Sequence, residues 1–207
     1  NTSSRYKDLV ETPENLLLDY SSFEAENKFR FEHTYNKNGW RINAGLGYEY
    51  ARYYNSTYNN VTIQGQPVVI DYESNLYLSK FALFSQVSKD YFNEKLLTSF
   101  SIRTDFSNYS KSLSNSLEQL SPSLSLSYRL SEAWSVNANI SRYHQLPSYT
   151  ILGYRDGDNN LVNLNNDVKY IRADHMVFGL EYLTDWKSRF TLESFLKHCT
   201  RYPYSIK

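Results

Sequence analysis

Between residues 121 and 149 the chain alternates apolar and polar side chains on both sides of a short turn. Leu124, Leu126, Tyr128 and Leu130 fall on one face; Ser123, Ser125, Ser127 and Arg129 fall on the other. Beyond the turn, Trp134, Val136, Ala138 and Ile140 repeat the pattern against Ser135, Asn137, Asn139 and Ser141. A side-chain period of two is that of a β-strand. The period recurs elsewhere. Phe29, Phe31, His33 and Tyr35 oppose Lys28, Arg30, Glu32 and Thr34. After the turn "NKNG", Trp40, Ile42, Ala44, Leu46, Tyr48 and Tyr50 oppose Arg41, Asn43, Gly45, Gly47 and Glu49, predicting a strand from 40 to about 54. Further strands are expected at 76–91, 95–106, 172–183 and 189–198, the last two joined by a turn around "TDWKS".

About eight strands result, and their connections alternate short and long. The long ones are 55–75, 107–120 and 143–170; residues 1–22 are polar and irregular, apart from the run "NLLLDY", and read as an external loop or a lead-in. Outer-membrane barrels are built this way, with tight turns on one side and long loops on the other. The polar faces carry Arg30, Glu32, Arg41, Glu49, Arg103, Asp105, Arg129, Glu181, Glu193 and Lys197. A soluble sandwich would also separate its faces, so strand length decides more. Ten to fifteen residues exceed the usual soluble strand and suit a tilted membrane crossing. Trp40, Trp134 and Trp186 all lie at or just after short turns, where a barrel places an aromatic girdle. The expected fold class is therefore all-β: an antiparallel transmembrane β-barrel segment with short periplasmic turns and long external loops.

Composition narrows the function without naming it. The 207 residues carry no net charge, and no basic stripe is visible, so nothing favours nucleic acid as a partner. The lone Cys199 excludes an internal disulfide framework or a thiolate zinc cluster. No apolar run approaches the roughly 20 residues of a membrane helix. At the N-terminus no signal-peptide pattern is present.

Three segments carry a family resemblance. "SKFALFSQVSKDYFNEKLLTSFSIRTDFSNYS", "SPSLSLSYRLSEAWSVNANISRYHQLPSY" and "HMVFGLEYLTDWKSRFTLESFLKH" resemble, in order, hairpins of TonB-dependent outer-membrane receptors. They cover 76–200, with 23–75 consistent but less specific. The resemblance implies a barrel of about twenty-two strands plugged by a separate domain. This sequence has neither a plug nor the terminal aromatic used in assembly, since it ends "RYPYSIK". It is therefore expected to be an internal or incomplete barrel segment, 23–207, with a complete eight-stranded barrel as the alternative.

Candidate site residues follow from loops and faces. On the long loop, Tyr143, Tyr149 and Tyr154 offer rings for stacking on sugars or flat chelates; His144, Arg155 and Asp156 can orient such a ligand. Tyr53, Tyr54 and Tyr58 open a second external loop. Arg103, Asp105 and Arg129 are expected to face the lumen and its plug. Enzyme signatures are lacking: the four histidines are scattered, and neither a G-x-S-x-G elbow nor a P-loop occurs. In "DGDNN", Asp156, Asp158 and Asn160 alternate oxygens and Asp167 falls twelfth, but Leu161 stands where a calcium hand needs glycine. A solvating loop is expected there, and no metal or cofactor.

The resemblance implies active transport in a Gram-negative outer membrane. External loops capture a scarce small-molecule, oligosaccharide or peptide ligand, and the inner-membrane TonB complex supplies energy. Implied partners are outer-membrane lipid and lipopolysaccharide, the plug domain and the TonB complex; a surface lipoprotein lid stays open. The alternatives are a passive porin, a small structural barrel, or a soluble β-sandwich that binds carbohydrate.

Overall fold

Among the described residues, period-two alternation becomes nine strands in one antiparallel meander. The computed structural model describes residues 2–7, 16–63 and 65–203. The strands are β1 (Thr2–Lys7), β2 (Leu16–Lys37), β3 (Trp40–Ile63), β4 (Gln66–Tyr91), β5 (Leu96–Ser107), β6 (Ser121–Arg129), β7 (Trp134–Gln145), β8 (Ile171–Leu183) and β9 (Arg189–Thr200). Each pairs with its neighbours in chain order, and the edge strands β1 and β9 do not pair with each other.

The short turns lie at one end. Asn38 and Gly39 have φ of 52° and 75°, the two positive values that a tight hairpin turn demands, and Lys37 pairs with Trp40 across them. At the next short turn Phe92, Asn93 and Glu94 all take positive φ without a glycine. Ser131 closes the third by accepting from the Ala133 and Trp134 amides at 3.3 and 3.1 Å. In the fourth, the Thr184 hydroxyl accepts from the Ser188 amide at 2.9 Å.

At the other end the structure departs from the expected loops. The polar stretch 55–75 is no loop: the β3/β4 ladder runs unbroken from Trp40 opposite Lys89 to Ile63 opposite Gln66. Backbone ladders need no apolar side chains. Cross-strand pairs such as Val61 with Val68 and Thr57 with Tyr72 suit a pleated surface. Residues 16–22 belong to β2, and Thr2–Lys7 pair with it; the remainder of the 1–22 stretch, and the terminal 204–207, fall outside the described residues. Three single-turn helices occupy the two long connections: α1 (Lys111–Ser114), α2 (Tyr149–Leu152) and α3 (Val162–Asn165).

One face of the sheet is covered by these connections, which makes it the inner face. Leu113 and Leu152 are fully buried against Ala51, Tyr53, Leu76 and Leu78 of β3 and β4, with Tyr109, Tyr149 and Tyr170 around them. Each leucine contributes about 2 kcal/mol through burial. The opposite, outer face meets no other layer. Phe29 is 59% exposed, Phe100 51%, Ile140 52% and Phe178 56%, although all four are apolar. A sandwich would cover this face with a second sheet, and none is there among the described residues.

Candidate functional site

The inner face below the loops is a charged wall. Register brings Lys28 on β2, Glu49 on β3 and Lys80 on β4 side by side, because Lys28 pairs with Glu49 and Glu49 with Lys80. Glu26 completes a square of two lysines and two carboxylates. Lys28 lies 2.7 Å from Glu26 and 3.2 Å from Glu49; Lys80 lies 3.1 Å from Glu26 and also contacts Glu49. The charges cancel, so the square locks rather than attracts. Further down, Arg30 holds Glu32 at 2.6 Å and stacks over the Phe84 ring at 4.4 Å. Arg103 grips Asp105 through two bonds of 2.7 and 2.6 Å. A cavity of about 470 Å³ opens between these groups, with Lys80, Arg103, Asp105 and Tyr170 on its lining.

Toward β7 the inner wall turns neutral. Ser88 and Gln86 bond Ser99, while Asn139 donates to Ser125 at 2.7 Å and accepts from Ser141 at 2.9 Å. Arg129 is exposed at the short-turn end of β6 and has no side-chain partner among the described residues.

Segment 146–170 folds over the mouth of this wall. Tyr149 on α2 reaches the charged square: Lys80 donates to its hydroxyl at 2.5 Å, and the hydroxyl donates to Glu26 at 2.5 Å. Burial, then the neighbouring carboxylate, raises the Tyr149 phenol well above the ordinary tyrosine range. Burial does the same to Tyr170 and lifts Tyr109, which donates to the Leu152 carbonyl at 2.6 Å, to about 12. Gly153 admits close approach: a side chain there would meet the Tyr53 ring at 3.0 Å and the Tyr149 carbonyl at 3.1 Å. Asn163 ties α3 to α2 by donating to the Ile151 carbonyl at 2.7 Å.

The expected ligand residues separate under this geometry. Tyr53 and Tyr149 are buried in the loop core with ring centres 5.8 Å apart. Tyr154 is 39% exposed and meets Tyr72 edge-on at 5.7 Å. Tyr54 and Tyr58 fall on the outer side of β3, opposite in parity to Tyr53. Tyr143 stands against His175 at 5.0 Å, half exposed, and His144 bonds Ser121 at 3.0 Å. Asp156 closes its own loop, accepting from the Asp158 and Asn160 amides at 3.1 and 2.8 Å; Arg155 donates to the Asn159 carbonyl at 2.6 Å and to Ser74 at 3.4 Å. Among the described residues no group of three His, Cys, Asp or Glu is placed to hold a metal.

Glu26 and Lys80 escaped sequence reasoning, since only register joins residues 54 positions apart; Lys28 was visible on the polar face but not as part of a site. Arg142 escaped it too, although its place on the apolar parity of β7 marks it.

An outer face of exposed apolar side chains, an inner face of charges and hydroxyls, and short turns ringed by tryptophan define a segment of transmembrane β-barrel. The model of the family "TonB dependent receptor-like, beta-barrel" matches residues 1–199, and the chain belongs to that family. A search of the curated proteins found no match. Among solved structures, the chain is similar to a copper transporter, OprC (TM-score 0.57, 11% identity, 81% of this chain and 28% of that one). It is also similar to a variant of the ferric enterobactin receptor PfeA of Pseudomonas aeruginosa (TM-score 0.58, 19% identity, 91% of this chain and 28% of that one). At these identities the likeness concerns the fold. The chain spans about 28% of the length of both structures.

Proposed function

We propose that the chain forms part of the wall and mouth of an outer-membrane receptor that imports a scarce nutrient with energy from the inner-membrane TonB complex. Segment 146–170, tucked inside the mouth and tied to the charged wall, carries this reading. A passive pore would keep that space open. In this account Tyr154 and Arg155, with Tyr143 and His144 at the base of the segment, face the incoming ligand. Tyr53, Tyr149 and Asp156 hold the surface in shape, and Tyr54 and Tyr58 stand on its outer side. Arg103, Asp105 and Arg129 meet a plug seated in the lumen.

The test is growth of cells in which the full-length receptor is the sole importer, under scarcity, on siderophore, cobalamin and oligosaccharide nutrients in turn. Growth on one of them that needs both the receptor and an intact TonB complex supports the proposal. Receptor-dependent growth that survives loss of the TonB complex favours a passive porin.

A further inference from the structure

The outer face of β7 and β8 carries charge at a height where β3 to β5 carry aromatic rings. Going up from the tryptophan girdle, β7 presents Trp134, Val136, Ala138 and Ile140 outward, then Arg142. Opposite them β8 presents Tyr182, Leu180, Phe178 and Met176, then Asp174 and Arg172. Arg142 stands eight residues above Trp134, about 27 Å along the strand, or roughly 20 Å above the girdle once strand tilt is allowed for. That is near the top of an apolar band about 25 Å tall. Eight residues above Trp40, by contrast, stands Tyr48, its ring tilted against Phe81 with centres 5.0 Å apart, and Phe81 in turn stacks on Phe106 at 5.3 Å.

The charges are unbalanced. The Asp174 carboxylate accepts from Arg142 at 2.7 Å and from Arg172 at 3.0 and 2.5 Å. One carboxylate thus answers two guanidiniums, and Arg201 lies near enough to join Arg142 and Arg172 in their electrostatic effect on His144. His198 faces Asp174 from β9. The Arg142 and Arg172 side chains are 39% and 30% exposed, so unused N–H groups of both forks face outward. Directly beneath is a depression of about 500 Å³ whose floor includes Phe100, Leu124, Ile140, Met176 and Leu196. All five belong to the outer face.

We propose that this site binds one phosphorylated lipid of the external leaflet, its phosphate on Arg142 and Arg172 and an acyl chain across the apolar floor. Guanidinium forks match a phosphate bidentately, and a single phosphate offsets the excess positive charge. Water alone would not call for the floor, and a buried acyl chain alone would not call for the arginines. The site rests on the membrane placement of the barrel and does not require transport.

The experiment uses full-length receptor extracted from the outer membrane, exchanged into neutral detergent and offered diphosphoryl lipid A or its dephosphorylated form. The wild type should retain the phosphorylated lipid about tenfold better, and the Arg142→Gln, Arg172→Gln double variant should lose that preference. Lys89→Gln, changed at the opposite girdle, should keep it. Equal retention of both lipids by the wild type overturns the proposal without depending on any variant's folding. Displacement of the lipid by millimolar inorganic phosphate would overturn it too, marking a free-anion site. A heat-modifiability gel on the same samples separates failure of the lipid site from failure of the barrel reading.

Discussion

The Tyr149 hydroxyl donates to Glu26, 123 positions earlier in the chain, at 2.5 Å. The same oxygen accepts from Lys80 at 2.5 Å. One phenol thereby fastens the longest loop to the inner wall of two strands. Tyr149→Phe keeps the ring against Tyr53 but removes both bonds, at a cost of about 1.5–3 kcal/mol because the partners are charged. Proteolytic nicking within 146–170 should rise about tenfold or more, while the boiled and unboiled forms of the barrel keep their separation on a gel.

Gly45 lies directly across from Phe84, and any Cβ there would run into the Phe31 carbonyl and the Phe84 ring. Gly47, two residues on, would meet nothing nearer than the Ala82 Cβ at 3.6 Å. Gly45→Ala should therefore destabilise the sheet by about 1–3 kcal/mol through overpacking. Gly47→Ala should be tolerated. Comparing the yield of folded, heat-modifiable protein for the two variants checks this.

Leu126 and Ser125 are adjacent on β6, and their side chains point to opposite faces. Leu126→Arg places a cation in lipid, costing about 2–4 kcal/mol at mid-depth, whereas Ser125→Arg enters a wet lumen. Denaturant unfolding of the full-length receptor in detergent-free vesicles should show the loss for Leu126→Arg only. Equal losses would mean the faces are misassigned.

Asp156 spends its carboxylate on its own loop, accepting two backbone amides. Calcium added to the full-length receptor should leave tyrosine fluorescence unchanged. Asp156→Ala should loosen the loop by about 1 kcal/mol, seen as faster amide exchange around 156–160.

Arg103 and Asp105 neutralise each other on the lumen side of β5. Replacing both with alanine should spare barrel folding, since the pair is partly exposed and surface pairs contribute less than about 1 kcal/mol. In the proposed receptor the double variant should weaken plug docking or nutrient uptake. Unchanged uptake would remove these residues from that role.

Most of the sheet was legible in the sequence, because a membrane barrel writes its two faces into a strict alternation. The parity of Leu124 against Ser125, or of Ile42 against Asn43, needs only counting. Register was partly legible as well: the turn at Asn38 and Gly39 fixes Lys28 opposite Glu49. Lys80 was not reachable in that way. Its place beside Glu49 depends on the hairpin tip near Gly65, and the polar stretch leading to that tip looked like a loop because it carries no apolar stripe. The fate of the long loop was hidden for another reason. Tyr149 and Leu152 have no period to announce burial, and only packing against β3 and β4 distinguishes them from exposed residues such as Tyr154. Arg142 shows the opposite case, a visible break in an apolar file whose meaning required the neighbouring Asp174 and Arg172.

In the proposed receptor the exposed apolar face meets lipid as part of a closed barrel in the outer membrane. Fractionation of the native full-length protein, followed by electrophoresis of the membrane fraction with and without boiling, tests it most directly. A band in the outer-membrane fraction that shifts on boiling is the predicted result. A soluble protein whose band does not shift would mean that the apolar faces are buried against protein and that the chain lines no membrane barrel.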